Sequence, residues 1–199
     1  MAFTITFDYL CPFAAIANDT VLDALAAGST HEVSFRAFSL SQVHLEPDEE
    51  PVWATGTEAR RSGVAALEWG LAVRDHFPSS FAAMHRALFA AKHTHGRDLG
   101  DATTLRKAAE EAGLDPDAVA AVVADGSPAR ALAGDHTWGV EQHRVFGVPT
   151  WITERRAVFT RIMERPASPE DARRTLDRVL DLVDGWPQLN EFKQTRIPK

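Results

Sequence analysis

Hydrophobic and polar residues alternate at the start of the chain, with the period of a half-buried β-strand. Phe3, Ile5 and Phe7 are apolar, and the residues between and after them, up to Asp8, are polar. The apolar spacing then changes to that of a helix, at Ala15, Val21, Leu22 and Leu25. The pattern therefore predicts a strand that ends near residue 8 and a helix that begins a few residues later.

A second strand is predicted over residues 31–38 (HEVSFRAF), whose apolar residues fall on one face at strand spacing. Two strands joined by one helix form a βαβ unit, in which the strands are parallel. The acidic segment 39–53 contains two prolines, so we predict an irregular loop there. Within it, His44 and Trp53 are candidates for the rim of a pocket, and a surface loop with one anchoring aromatic residue is the alternative.

Residues 57–146 are predicted to be helical throughout. Two stretches place apolar side chains on one helical face: Phe81, Met84, His85, Leu88 and Phe89, and then Leu105, Ala108, Ala109 and Ala112. The predicted helix starts are Asp101, Asp115 before Pro116, and Ser127 before Pro128. The predicted helix ends are Gly113, Gly126 and Gly147.

Two short strands and a final helix are predicted at the C-terminal end. Residues 150–153 and 157–161 are separated by three residues, which favours an antiparallel hairpin. The final helix begins at Ser168 and Pro169 and ends at Gly185. Its apolar stripe is expected to cover one face of the sheet and consists of Ala172, Leu176, Val179, Leu180 and Val183.

Cys11 is the only cysteine of the 199 residues, and it lies in the joint between the first strand and the first helix. Pro12 is tolerated at the first helical position, where its missing N–H is not needed, so Cys11 is predicted at the N-cap or within one residue of it. The unpaired N–H groups of a first helical turn favour a thiolate over a thiol, which predicts a reactive cysteine. The alternative is a small buried hydrophobe.

Two segments resemble a known family. DYLCPFA, residues 8–14, resembles the D-[FY]-x-C-P-W-C active-site segment of the DsbA-like thioredoxin-fold proteins, in particular their cytoplasmic branch related to 2-hydroxychromene-2-carboxylate isomerases and kappa-class glutathione transferases. FGVPT, residues 146–150, resembles the G-V-P-T loop of that fold, whose proline is cis and faces the active-site thiol. The order of the two segments fits the family over nearly the whole chain.

The resemblance implies an α/β, thioredoxin-like fold with a large all-helical insertion between strands 2 and 3. Residues 1–54 and 147–199 would form the thioredoxin-like domain, and residues 55–146 the insertion. It also implies that Cys11 is catalytic, and that a cis Val148–Pro149 bond exposes backbone to which an extended substrate can pair. The implied substrate-binding residues are Pro12, Phe13, Val148, Pro149 and Thr150.

One departure from the family pattern concerns the mechanism. Redox members carry a second cysteine three positions after the first, and that position is Ala14 here, so no internal disulfide can form. The isomerase and transferase relatives usually carry serine at the position of Cys11. We therefore expect a monothiol thiol–disulfide oxidoreductase in which a low-molecular-weight thiol, glutathione or mycothiol, is the resolving cosubstrate. The alternatives are a glutathione-type-thiol-dependent isomerase or transferase, and a non-catalytic thiol-binding or redox-sensing module.

Composition and charge limit the classes of binding partner that we expect for this protein. The formal net charge of −7 disfavours nucleic acid, which requires clustered cations. The sequence shows no signal-peptide pattern and no apolar stretch long enough to span a membrane, so we expect no membrane partner. A single cysteine makes no internal disulfide, so we expect a cytoplasmic protein. The pairs His93/His95 and His136/His143 have spacings that suit a metal but lack accompanying ligands, so no metal and no bound cofactor are predicted.

Overall fold

The computed structural model describes residues 1–54 and 62–191. The elements in chain order are β1 (Ala2–Phe7), α1 (Pro12–Ala26), β2 (Glu32–Ala37), α2 (Leu40–Val43), α3 (Ser62–His76), a 3-10 turn (Pro78–Ser80), α4 (Phe81–His93), α5 (Ala102–Glu111), α6 (Pro116–Ala124), α7 (Ser127–His143), β3 (Thr150–Ile152), β4 (Ala157–Phe159) and α8 (Pro169–Gly185). The predicted helical start at residue 57 lies outside the described residues, as does the tail after residue 191.

The described strands form one mixed sheet in the order β2-β1-β3-β4. Strand β1 pairs in parallel with β2 and antiparallel with β3, and β3 pairs antiparallel with β4. The predicted βαβ unit and C-terminal hairpin are therefore confirmed. Helices α3 to α7 follow β2 and precede β3, so the thioredoxin-like α/β fold with a helical insertion is confirmed as well. The domain boundaries themselves stay a prediction.

Strand β1 is buried more completely than its alternating pattern predicts. Thr6 is 1% exposed and Asp8 0%, although both were expected on a solvent face. The expectation was wrong because both side chains have internal partners: the Thr6 hydroxyl accepts the Thr150 N–H, and the Asp8 carboxylate accepts the Leu10 and Leu40 N–H groups. The strand also contributes to two apolar clusters: Phe3 and Ile5 pack with α1, β3 and α8, whereas Phe7 packs with the insertion helices.

Three local predictions were wrong, each for a hydrogen-bonding or backbone reason. The segment 39–53 is not wholly irregular, because the Ser39 hydroxyl accepts the Gln42 N–H and starts α2. Ser127 is not a cap, since Gly126 occupies the N-cap of α7 in the left-handed conformation and Ser127 is already helical. Gly147 does not end α7, which stops at His143 with Arg144 at a φ of 53°. By contrast, Asp101 and Asp115 both cap helices as predicted.

Candidate active site

Cys11 is the N-cap residue of α1. Its backbone is extended, Pro12 occupies the first turn, and the Ala14 N–H donates to the Cys11 Sγ over 3.4 Å. The Cys11 N–H donates in turn to the Asp8 carbonyl over 3.1 Å, which closes the turn between β1 and α1. The residue is 8% exposed. The sequence placed Cys11 at this cap correctly, because a proline at the first helical position marks the helix start.

The segment around Pro149 meets this cap. The Val148–Pro149 bond is cis, as predicted, and the Cys11 thiol donates to the Val148 carbonyl over 3.4 Å. The loop is held by Thr150, whose hydroxyl donates to the Gly147 carbonyl over 2.7 Å and whose N–H donates to the Thr6 hydroxyl over 2.9 Å. The two resembling segments, far apart in sequence, therefore form one site.

The predicted substrate-binding residues are not equally accessible. Val148 and Thr150 are each 3% exposed, so the expected exposure of their backbone was wrong. The reason is that the Thr150 N–H is already bonded to Thr6, and that Val148 packs in the main core cluster. Pro12 is exposed and Phe13 half-buried, whereas Pro149 is buried. Access to the sulfur is thus from the side of α1.

Asp8 is a wholly buried carboxyl next to the cap. Its two oxygens accept the Leu10 N–H at 2.8 Å and the Leu40 N–H at 2.7 Å, which ties the β1–α1 turn to the start of α2. Burial raises the pKa of Asp8 from 3.8 to about 6, and the two backbone N–H groups oppose that rise. The carboxyl is therefore a structural clamp of the turn that ends in Cys11.

A buried hydrogen-bond network supports the first turn of α1. The Tyr9 hydroxyl and His85 Nδ1 are 2.8 Å apart, and His85 Nε2 lies 3.1 Å from the Asn18 side-chain oxygen. The Asn18 amide donates to the Ala14 carbonyl over 2.8 Å. Burial lowers the pKa of His85 to about 3, so the ring is neutral, accepts from Tyr9 and donates to Asn18. The network ends on Ala14, the residue whose N–H meets the Cys11 sulfur.

The sequence did not predict this network, because His85 falls in an apolar helical stripe and has the pattern of a core residue. His93, one of the metal candidates, also serves the turn: its Nε2 donates to the Tyr9 carbonyl over 2.9 Å. Close packing completes the support, since a Cβ on Gly70 of α3 would collide with the Tyr9 ring. The histidines of α4 therefore hold the active-site turn.

Arginine and aromatic side chains border the cap on one side. The Arg161 guanidinium lies 4.9 Å from the centre of the Phe13 ring and 5.3 Å from that of Phe159. The Phe159 and Phe146 rings are 5.2 Å apart. We call these four residues the aromatic rim. Phe13 and Phe146 belong to the two segments that resemble the family, whereas the sequence did not predict that Arg161 and Phe159 of the last strand would join them.

The remaining candidates lie elsewhere. His44 is exposed and bonds to the Leu40 carbonyl, and Trp53 packs against the ring of His136. Among the described residues, the side-chain hydrogen bonds of Cys11 involve Ala14 and Val148 and neither of these two candidates. Within residues 1–54 and 62–191, no group of three or more His, Cys, Asp or Glu side chains gathers at metal-binding distance. No helix in that part has the length and apolar character needed to cross a membrane.

The fold and the site together define a thioredoxin-fold protein with a cysteine at the start of α1 and a cis-proline beside it. The model of the DsbA-like thioredoxin domain matches residues 4–165, and the chain belongs to this family. No curated protein sequence matches it.

Several solved structures are similar to this chain. The cytosolic disulfide reductase DsbM from Pseudomonas aeruginosa with GSH is 20% identical, with 92% of this chain and 100% of that chain covered and a TM-score of 0.63. A probable DsbA oxidoreductase from Streptomyces coelicolor is 20% identical, with 98% and 93% covered and a TM-score of 0.62. A thioredoxin-like oxidoreductase from Silicibacter pomeroyi is 17% identical, with 90% and 86% covered and a TM-score of 0.60. At these identities the likeness concerns the fold.

Proposed function

We propose that the protein is a monothiol thiol–disulfide oxidoreductase that exchanges small thiols through Cys11. The observation that carries the proposal is the convergence of two groups on the Cys11 sulfur: the Ala14 N–H of its own helix and the Val148 carbonyl of the segment beside Pro149. The N–H stabilises negative charge on the sulfur, and family membership supports exchange chemistry at this position. Pro12 and Phe13 form the accessible border of the site, and Val148, Pro149 and Thr150 form its wall.

The exchange has two steps that balance. The Cys11 thiolate attacks one sulfur of a disulfide RS–SR, forms the mixed disulfide Cys11–S–SR and releases one RS⁻, which takes up a proton. A second small thiolate then attacks the R-bearing sulfur, which forms a new small disulfide and returns the electron pair to Cys11. No oxidant or reductant other than the small thiol–disulfide pair is consumed.

The second step requires an external thiol because Ala14 stands where a resolving cysteine would be. We propose glutathione or mycothiol as that thiol. A similar structure is that of a cytosolic disulfide reductase with GSH, which supports a small thiol as partner and the cytoplasm as the location.

Intact-protein mass spectrometry tests the proposal. The protein is incubated with glutathione disulfide, and we expect one glutathione per chain, removed again by free glutathione. The Cys11→Ser variant is the matched control, because a hydroxyl can replace the thiol as helix cap but cannot form a mixed disulfide. Absence of the adduct on the unmodified protein would reject the proposal. Turnover of an electrophilic aromatic substrate that survives Cys11→Ser would favour the transferase or isomerase alternative.

A further inference from the structure

Arg161 is an exposed cation at the border of the site. Its guanidinium lies over the Phe13 ring, 4.9 Å from the centre, and over the Phe159 ring, 5.3 Å from the centre. Within the ranges 1–54 and 62–191, no carboxylate lies within 4 Å of it. An arginine stacked on aromatic faces keeps its N–H edges free, and these match the two oxygens of a carboxylate.

A second arginine near α1 shows the opposite arrangement. Arg165 pairs with Asp19 at 3.3 Å and with Asp23 at 3.3 Å, and Arg86 pairs with the same two acids. These side chains lie at or beside a cleft of about 310 Å³ between α1 and α4, whose border includes Pro12. The two arginines and the two aspartates neutralise one another, so this cleft has little net positive charge with which to bind an anionic ligand. Arg161 is therefore the better cation for recognition beside Cys11.

The aromatic rim connects that charge to the two segments that hold the reacting sulfur. Phe13 is in the first turn of α1, two residues after the cap, so the rim begins at the active-site helix. At the other end, the Phe159 ring packs against Gly147, where an added Cβ would lie 3.4 Å from it. Gly147 immediately precedes Val148, whose carbonyl meets the Cys11 sulfur. The rim thus bridges the two segments that form the site, with the guanidinium between them.

We propose that Arg161 binds a carboxylate of the small thiol or disulfide that exchanges at Cys11, and that the substrate class is therefore carboxylate-bearing thiols. The inference rests on the proposed function and refines it. It selects glutathione, which carries two carboxylates, over mycothiol, which carries none. Contacts with the Phe13 and Phe159 rings restrain the guanidinium, which limits the entropy lost when the carboxylate binds.

Ligand binding without exchange tests the charge recognition by itself. S-methylglutathione cannot form a disulfide, so its affinity for the full-length protein is measured by calorimetry beside that of its diethyl ester. We expect the free acid to bind about tenfold more tightly than the ester, the gain of one charge-assisted pair. Arg161→Gln should remove that difference, and Arg161→Lys should retain part of it. Arg178→Gln is the matched control, because Arg178 is exposed on α8 and its loss changes the net charge equally.

Exchange kinetics separate this inference from the proposed function. The rate at which 3-mercaptopropionate or neutral 2-mercaptoethanol releases 2-mercaptoethanol from its mixed disulfide with Cys11, an adduct without a carboxylate, is compared in the parent, Arg161→Gln and Arg178→Gln proteins. We expect Arg161→Gln to slow only the anionic thiol, by about five- to tenfold, and added salt to shrink the effect. Equal effects on both thiols, or no binding of S-methylglutathione, would overturn the inference. Failure of Cys11 to form any mixed disulfide would instead overturn the proposed function, while the calorimetry would still decide the role of Arg161.

Discussion

Helices α1 and α8 begin in the same way but with different consequences. Each has an extended N-cap residue followed by proline, and each cap accepts the N–H three residues on: Cys11 from Ala14 at 3.4 Å and Ser168 from Asp171 at 3.1 Å. The Ser168 hydroxyl turns back to the Asp171 carboxylate of its own helix, whereas the Cys11 thiol meets the Val148 carbonyl of another segment.

The charge around the two starts also differs. The first turn of α8 contains Glu170 and Asp171, which offset the positive end of that helix, and the first turn of α1 contains no acid. The N-terminus of α1 therefore remains available to an anionic sulfur. A side chain that caps a helix is by itself a structural feature. The start of α1 differs because a second segment meets the cap and because no acid in the first turn offsets the positive end of the helix.

The largest expected effect comes from making the cap of α1 like that of α8. Cys11→Ser should preserve the fold, with a free energy of unfolding within about 1 kcal/mol of the parent, because serine is a good N-cap. The same change should lower the rate of glutathione exchange by at least about 1,000-fold, since a hydroxyl does not exchange with disulfides. Urea unfolding and a coupled exchange assay measure the two quantities. Exchange that persists in the variant would place the reaction elsewhere.

The acids beside the two helix starts are expected to respond oppositely to pH. Burial raises the pKa of Asp8 from 3.8 to about 6, so the folded protein binds a proton that the unfolded chain has released. The contribution of Asp8 to stability is therefore fully present below pH 4 and is lost as the pH rises to 6 and above. Unfolding free energies from pH 4 to 7 should show the parent losing roughly 3 kcal/mol relative to Asp8→Asn.

Asp171 provides the control for this measurement. Its pKa is lowered, first by the hydrogen bond from Ser168 and then by Arg174, so its contribution is present above pH 4 and is lost on acidification. The difference in unfolding free energy between the parent and Asp171→Asn should therefore stay flat from pH 4 to 7 and fall only below pH 4, opposite in direction to the Asp8 difference. A parent-minus-Asp8→Asn difference that stays flat from pH 4 to 7 would show that Asp8 is not a desolvated carboxyl.

Ala14→Cys should allow an internal thiol to release glutathione from the Cys11 mixed disulfide, a step that requires an external thiol in the parent. The new thiol lies three residues after Cys11 in the first turn, and residues at this spacing are neighbours on a helix. Its effective concentration of about 1 mM should shorten the lifetime of the glutathione adduct about tenfold at 0.1 mM external thiol. Mass spectrometry follows the adduct and the resulting internal disulfide. Ala15→Cys is the matched control, and equal lifetimes in the two variants would contradict the expectation.

The smallest effect is expected at the cap of α8. Ser168→Ala removes the hydroxyl that accepts the Asp171 N–H, at a cost of about 1 kcal/mol in the free energy of unfolding. Glutathione exchange should be unchanged, because this cap faces only its own helix. A loss of exchange comparable with that of Cys11→Ser would show that the two helix starts are coupled.

The sequence predicted the parts of the site that local chemistry specifies. Pro12 marked the start of α1 and so placed Cys11 at its cap, and the Val148–Pro149 segment was matched to the cap through the family motif. The hairpin of β3 and β4 followed from a three-residue connection between apolar runs.

The rest depends on contacts between distant segments, which periodicity does not contain. Thr6 and Asp8 have the spacing of exposed residues and are buried only because neighbouring strands and helices cover β1. His85 fits an apolar stripe, and its hydrogen bonds arise because Tyr9 and Asn18 are brought to it by the packing of α1 on α4. Arg161 acquires its position from Phe13, at the far end of the chain.

Release of glutathione from the isolated Cys11–glutathione adduct tests the monothiol mechanism most directly. The rate is measured by mass spectrometry at increasing concentrations of free glutathione. Because no internal thiol exists, we predict a rate proportional to added glutathione that extrapolates to zero without it. A release rate independent of added thiol, or an adduct that glutathione does not remove, would contradict the account.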